Sequence, residues 1–128
     1  DWLHVDDHAQ ALLLVLQKGR LGETYCIGGD STHRNLEVIQ MLCAELDRLA
    51  PANTPHADKI TFVADRPGHD FRYSIDAAKL KAELGWEPAT PLGEGLAQTV
   101  AWYVENRDWW QAIRDKGFHS ERLGLAKG

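Results

Sequence analysis

The stretch Asp65-Arg66-Pro67-Gly68-His69-Asp70 gathers two carboxylates, a guanidinium and an imidazole around a Pro-Gly turn. An arginine and a histidine beside a tight turn suit an anion. The guanidinium can grip two phosphate oxygens at once, and Pro67 and Gly68 let the backbone approach a ligand closely. The competing reading is structural: Arg66 pairs with Asp65 or Asp70 and merely fixes the turn, as loop ion pairs of little energetic worth often do.

Other constellations point less far. His4, Asp6, Asp7 and His8 lie close in sequence, but Asp7 is a natural helix cap, and histidines straddling a strand end need not converge on a metal. Gly28, Gly29 and Asp30 follow a β-rich stretch without a Gly-x-Gly-x-x-Gly pattern, so no dinucleotide loop is encoded there. Tyr25, Tyr73 and Tyr103 are followed four residues on by Gly29, Ala77 and Arg107. No Tyr-x-x-x-Lys pair therefore sets a phenol and an ammonium on one helical face to share a proton. No nucleophile elbow is present, so covalent hydrolase chemistry has little support.

The elements that must position the turn follow from patterning. Trp2, Leu3 and Val5 read as a short strand, after which Asp7 with Gln10 has the spacing of a capping box for a helix. That helix is apolar on nearly every side from Ala9 to Leu16, which calls for burial or for a new cover. Tyr25 to Ile27 read as a second strand stopping at Gly28. Leu36, Ile39, Leu42, Cys43, Leu46 and Leu49 recur at helical spacing up to Pro51. "KITFVA" reads as a third strand, with the hexapeptide at its C-terminal end. Asp76 can cap a helix running to Gly85, and Thr90 with Pro91 can start another through Leu96, Val100 and Tyr103. Trp102, Trp109 and Trp110 extend its apolar surface, Trp102 being the one expected to be buried, and the tail from 117 to 128 is expected to be mobile.

At 128 residues the chain fits one domain. A net charge of -5 disfavours a broad nucleic-acid or anionic-membrane surface. The longest apolar run, Ala11 to Leu16, falls far short of the roughly 20 residues that span a bilayer. Cys26 and Cys43 lack metal or redox spacing and are expected to be reduced, buried and cytosolic. The opening at Asp1, running straight into a strand-like stretch, suggests a piece of a longer protein.

The ordered set "DWLHVDDHAQALLLVLQKG", "GETYCIGG", "NLEVI", "ITFVADRPGHDFRYSIDAAKL", "ELGW" and "TVAWYVENRDWW" resembles the C-terminal part of the dTDP-glucose 4,6-dehydratase family, over roughly residues 1 to 111. These enzymes are extended short-chain dehydrogenase/reductases. The resemblance implies an α/β fold class: a C-terminal fragment with a few strands and packed helices, lacking the main NAD-binding Rossmann portion. Residues 1 to 29 would contribute to the parent's NAD-binding sheet, and 30 to 116 would form the nucleotide-sugar-binding domain.

It further implies a cytoplasmic, NAD-dependent lyase of rhamnose and deoxysugar precursor synthesis. NAD oxidises the sugar at C4, water leaves across C5 and C6, and hydride returns to C6, giving dTDP-4-dehydro-6-deoxy-D-glucose. The family's NAD loop, Tyr-x-x-x-Lys pair and dehydration acids precede the stretch present here, so the fragment alone is expected to be inactive. Family substrate-binding positions match Asn35, Asp65, Arg66, Pro67, Gly68 and His69, which would meet dTDP-glucose or dTDP. A phosphate-binding arginine is expected just before Asp1, leaving the anion site incomplete.

Departures from the family pattern are mild: "YCIGG" for Tyr-Asn-Ile-Gly-Gly, and "FRYSID" where a second arginine and an alanine are common. The all-round apolar first helix predicts self-association, as a homodimer or larger species. Two alternatives stay open: a superfamily member acting on another nucleotide sugar, as epimerase, decarboxylase or other dehydratase, and a free-standing interaction module using its tryptophan surface.

Overall fold

In the computed structural model residues 1–117 are described. They form five α-helices and one 3₁₀ turn: α1 (Val5–Lys18), α2 (Asn35–Leu49), the turn (His56–Lys59), α3 (Ala78–Leu84), α4 (Leu92–Glu105) and α5 (Arg107–Asp115). The expected tail lies, apart from Gly117, outside the described residues. No helix among them is long and apolar enough to cross a membrane.

The three expected strands do not form among the described residues. A strand persists only where its backbone groups find a ladder partner, and here each segment finds too few. The first two do run side by side: Trp2 N–H donates to the Ser31 carbonyl at 3.0 Å, and the Asp1 carboxylate accepts from the N–H groups of Gly29 and Ser31 at 3.0 Å each. One backbone bond and one side-chain clamp stand where a ladder would be. The Asp1 amino nitrogen also reaches the Tyr73 carbonyl at 3.0 Å, which draws the segment after the hexapeptide alongside. In the "KITFVA" stretch Phe62 and Val63 stay exposed.

α1 begins earlier than its sequence suggests. Val5 belongs to the helix, His4 precedes it as cap residue, and Asp7 lies inside the first turn. The predicted capping box of Asp7 with Gln10 is therefore absent. Asp7 is instead 2% exposed and accepts the backbone N–H of Thr90 at 2.9 Å, at the entrance to α4. Gly95 makes that approach possible, since a Cβ there would sit 3.0 Å from the His4 ring. At its other end α1 stops at Gly19, where a Cβ would meet the Val15 carbonyl oxygen at 2.5 Å.

Two packed layers result. Ala11 on α1, Leu80 on α3 and Trp86 form one core, lined by Leu3, Leu14, Val15, Tyr25, Ile27 and Leu84. In the other layer α2 packs on α4, with Val38, Cys43 and Val100 buried. α3 is cut as its sequence foretells: Asp76 accepts the Ala78 N–H at 2.8 Å, and Gly85 turns the chain at φ +71°. Glu83 on α3 then accepts from Arg20 at 2.6 Å and from the Tyr25 hydroxyl at 2.8 Å, fastening the link between the first two segments.

Three burial expectations change. Leu12, Leu13 and Leu16 on α1 are 53%, 56% and 83% exposed, so the helix buries only one stripe and presents the rest outward. Cys26 is exposed, while Cys43 is buried, and both are free thiols. Trp102 is 42% exposed, whereas Trp86 is the buried tryptophan at 8%. The apolar surface of α4 extends to Trp109, whose ring meets Trp102 edge-on with centroids 5.2 Å apart, although the helix itself does not run straight on. The helix breaks at Asn106, whose side chain and backbone N–H both donate to the Trp102 carbonyl, at 2.8 and 2.9 Å.

Burial alone would raise the Asp7 carboxyl pKa, but hydrogen bonds from Thr90 and Ala89 and the nearby His4 outweigh it and hold it below the ordinary carboxylate value. The folded state therefore favours the ionised form. Its contribution is present above the ordinary aspartate pKa of about 3.9 and is lost as pH falls through the lower folded value. Asp7→Ala, which leaves the Thr90 N–H without its acceptor, is expected to cost about 1–3 kcal/mol at neutral pH. Urea denaturation checks this, and the difference between variant and wild type should shrink as pH drops below about 4.

Candidate anion-binding turn

The hexapeptide lies on the exposed connection between the 3₁₀ turn and α3. Pro67 and Gly68 reverse the chain, with Gly68 at φ +68°, in the left-handed region that costs glycine little. Asp65 is the hub of the turn. Its Oδ1 accepts the Arg66 backbone N–H at 2.8 Å and meets the His69 ring Nδ1 at 2.6 Å. The His69 contact foremost, then the Arg66 N–H, holds the Asp65 carboxyl below the ordinary carboxylate range.

That arrangement answers the structural reading of Arg66. Among the described residues its guanidinium forms no ion pair with Asp65 or Asp70; its charge acts on Asp65 only through space. The carboxylate expected to neutralise it is committed to His69 instead, which leaves the bidentate donor edge of Arg66 available to an external anion.

The structure thus brings Asp65, Arg66, Pro67, Gly68 and His69 into one turn. Asn35, the sixth predicted position, is the first residue of α2, where Arg34 N–H is capped by the Glu37 carboxylate at 3.0 Å. No hydrogen bond or ion pair among the described residues links Asn35 to the turn. None of the six lines the larger cleft, of about 720 Å³, which lies between the N-terminal segment and α4 and α5. Trp2, His4, Thr90, Leu96, Trp102 and Trp109 face it. The clustered tryptophans were the sequence signal for this surface, but their convergence with residues 2 to 6 is set by tertiary packing.

The described residues do not fit a dinucleotide cofactor. The Gly28-Gly29 pair is the only glycine doublet at a β-rich stretch, and a Cβ on Gly29 would lie 1.9 Å from the Trp2 carbonyl oxygen. The space that these glycines open is filled by the chain's own N-terminal segment, and the next helix starts only at Asn35. Among the described residues no group of three or more metal-ligating side chains gathers either.

The family model for GDP-mannose 4,6 dehydratase matches residues 1–99, and the chain belongs to that family. More particular likeness is to dTDP-glucose 4,6-dehydratases. The chain is 53% identical over 125 residues to a probable dTDP-glucose 4,6-dehydratase of Sinorhizobium fredii, covering 98% of this chain and 36% of the relative. It is 52% identical over 126 residues to the dTDP-glucose 4,6-dehydratase of Xanthomonas campestris pv. campestris, covering 97% and 36%. Among solved structures, the Streptomyces venezuelae dTDP-glucose 4,6-dehydratase, with NAD and a second ligand bound, superposes with a TM-score of 0.78 at 42% identity, covering 88% of this chain and 33% of that one. The Bacillus anthracis enzyme in complex with NAD gives 0.76 at 42%, with the same coverage. The chain thus spans about a third of the length of the relatives it matches.

Proposed function

We propose that this chain is the nucleotide-sugar-binding portion of a dTDP-glucose 4,6-dehydratase. The observation that carries this reading is the exposed turn in which His69 occupies Asp65 and leaves the Arg66 guanidinium without an ion-pair partner among the described residues, within a chain 53% identical to a relative of that description. In the whole enzyme the reaction converts dTDP-glucose to dTDP-4-dehydro-6-deoxy-D-glucose and water. NAD, bound in the solved relatives, supplies the oxidation and return of hydride there, through residues that this chain does not carry. What the chain contributes is a grip on the diphosphate. Arg66 offers a planar two-donor edge, His69 a second ring nitrogen, and the Pro67-Gly68 backbone close access.

Asn35, at the first turn of α2, would add a neutral polar contact to the same ligand. Residues 1 to 29 would contribute to the NAD-binding sheet of the whole enzyme, which the outward leucines of α1 support: a helix with Leu12, Leu13 and Leu16 exposed is suited to being covered. The fragment alone would bind without catalysing, since its sequence carries no Tyr-x-x-x-Lys pair and no Gly-x-Gly-x-x-Gly loop. A cytoplasmic setting and a role in rhamnose precursor synthesis follow from the same reading.

Calorimetric titration of dTDP at low fixed salt tests the substrate class, with UDP and GDP as competitors in base identity. Loss of a charge-assisted contact of about 1.5–3 kcal/mol predicts roughly tenfold to hundredfold weaker dTDP binding in Arg66→Ala. Equal affinity in the variant would remove Arg66 from the site, and equal affinity for all three nucleotides would remove the thymine preference.

Without its cover, the α1 face should drive the chain into homodimers or larger species at roughly tens of micromolar. Light scattering should then report a mass above the 14.4 kDa of one chain. Leu16→Glu should shift the population toward monomer with the circular dichroism unchanged, whereas a monomeric wild type would show that the exposed leucines drive no association.

A further inference from the structure

We propose that Asp65 is a positioning residue rather than a ligand contact: it holds the His69 ring with its proton on Nδ1 and so leaves Nε2 as the nitrogen that faces a ligand. The resemblance groups Asp65 with the substrate-binding positions, but an ionised carboxylate repels a phosphate oxygen. Its geometry gives it a different task. The same oxygen, Oδ1, is bonded to the backbone N–H of the next residue and to the ring four residues on, at 2.8 and 2.6 Å, so it closes the turn across Pro67 and Gly68.

The tautomer follows from the chemistry of the pair. A carboxylate without a proton is only an acceptor, so the atom 2.6 Å from it must be an N–H. The contacts that hold the Asp65 carboxyl below its ordinary range keep it ionised at neutral pH. With Nδ1 committed as donor, Nε2 carries the lone pair and has no partner among the described residues. The charged groups of the turn are Asp65, Arg66 and Asp70; among the described residues only Asp65 forms an ion pair or hydrogen bond with the ring.

For a diphosphate this has a direct consequence, which rests on the function proposed above. Neutral Nε2 is an acceptor and cannot bond a phosphate oxygen. Once it takes a proton from solvent it becomes a charged donor beside Arg66, while Nδ1–H stays with Asp65. Diphosphate binding through Nε2 is therefore coupled to proton uptake at that nitrogen, while Asp65 keeps the Nδ1 proton in place.

Long-range ¹H–¹⁵N correlation spectra of the full chain at alkaline pH, where imidazole is neutral, read the tautomer directly; His69→Gln assigns the ring by its missing signals. The expected result is the Nδ1–H tautomer in wild type and in Asp70→Asn, whose carboxylate makes no contact with the ring. Asp65→Ala should convert His69 to the Nε2–H form, with helical circular dichroism retained. An Nε2–H tautomer in wild type, or no change in Asp65→Ala, overturns the proposal. dTDP titrations on either side of the imidazole transition then separate it from the functional reading. Affinity that falls with rising pH in wild type and loses that slope in Asp65→Ala supports both. The expected tautomer with no dTDP binding at any pH removes the diphosphate reading and leaves the positioning role of Asp65 standing.

Discussion

The buried Asp7 carboxylate at the backbone N–H of Thr90 is the constraint from which the rest of the arrangement follows. It joins α1, the spine of one packed layer, to the entrance of α4, the spine of the other, across most of the length of the described chain. A charge this deeply enclosed is costly unless hydrogen-bonded, so the bond is also selective: only a chain path that delivers the N–H groups of Ala89 and Thr90 to α1 satisfies it. Gly95 at the His4 ring is the steric counterpart of the same contact. Both contacts lie at the cleft between the N-terminal segment and α4, whose wall includes His4, Thr90 and Gly95.

How much of this is legible in the sequence depends on whether the governing interaction is local. α2 is readable because its apolar residues recur on one stripe and Pro51 ends it. α3 is readable because Asp76 holds the Ala78 N–H just ahead of the first turn and Gly85 ends the helix, each contact spanning only a few residues. Asp7 misleads for the opposite reason. An aspartate before an apolar run has the local signature of a cap, but its real partner is Thr90, and no window of the sequence contains both. The strands fail likewise: "DWLHV", "TYCI" and "KITFVA" have β-type composition, yet a ladder is a property of neighbours. These neighbours supply one backbone bond between the first two segments and leave Phe62 and Val63 in solvent.

The turn shows the same division at smaller scale. That residues 65 to 70 reverse the chain follows from Pro67-Gly68, and that they suit an anion follows from Arg66 and His69. Composition cannot decide which partner Asp65 takes, because Arg66 and His69 are both within reach of a short carboxylate. The backbone decides it. With Gly68 in the left-handed region the chain doubles back and sets residue 69 over residue 65, while the Arg66 N–H already occupies the near side of the same oxygen. The guanidinium is left with no carboxylate partner among the described residues.

Exposure of α1 follows from the small number of fully buried side chains among the described residues. Ala11, Leu80 and Val38 are the most enclosed apolar residues, and such a small interior cannot cover an all-round apolar helix as well as support a sheet. Polar contacts carry the remainder: Asp1 clamps two segments, Glu83 and Lys79 clamp the 19–25 link, and Asp65 braces the anion turn. Side-chain carboxylates thus serve here as the joints that a sheet would otherwise supply. A turn braced by its own residues keeps its shape without a sheet beneath it, whereas the outward face of α1 has no such brace or cover among the described residues.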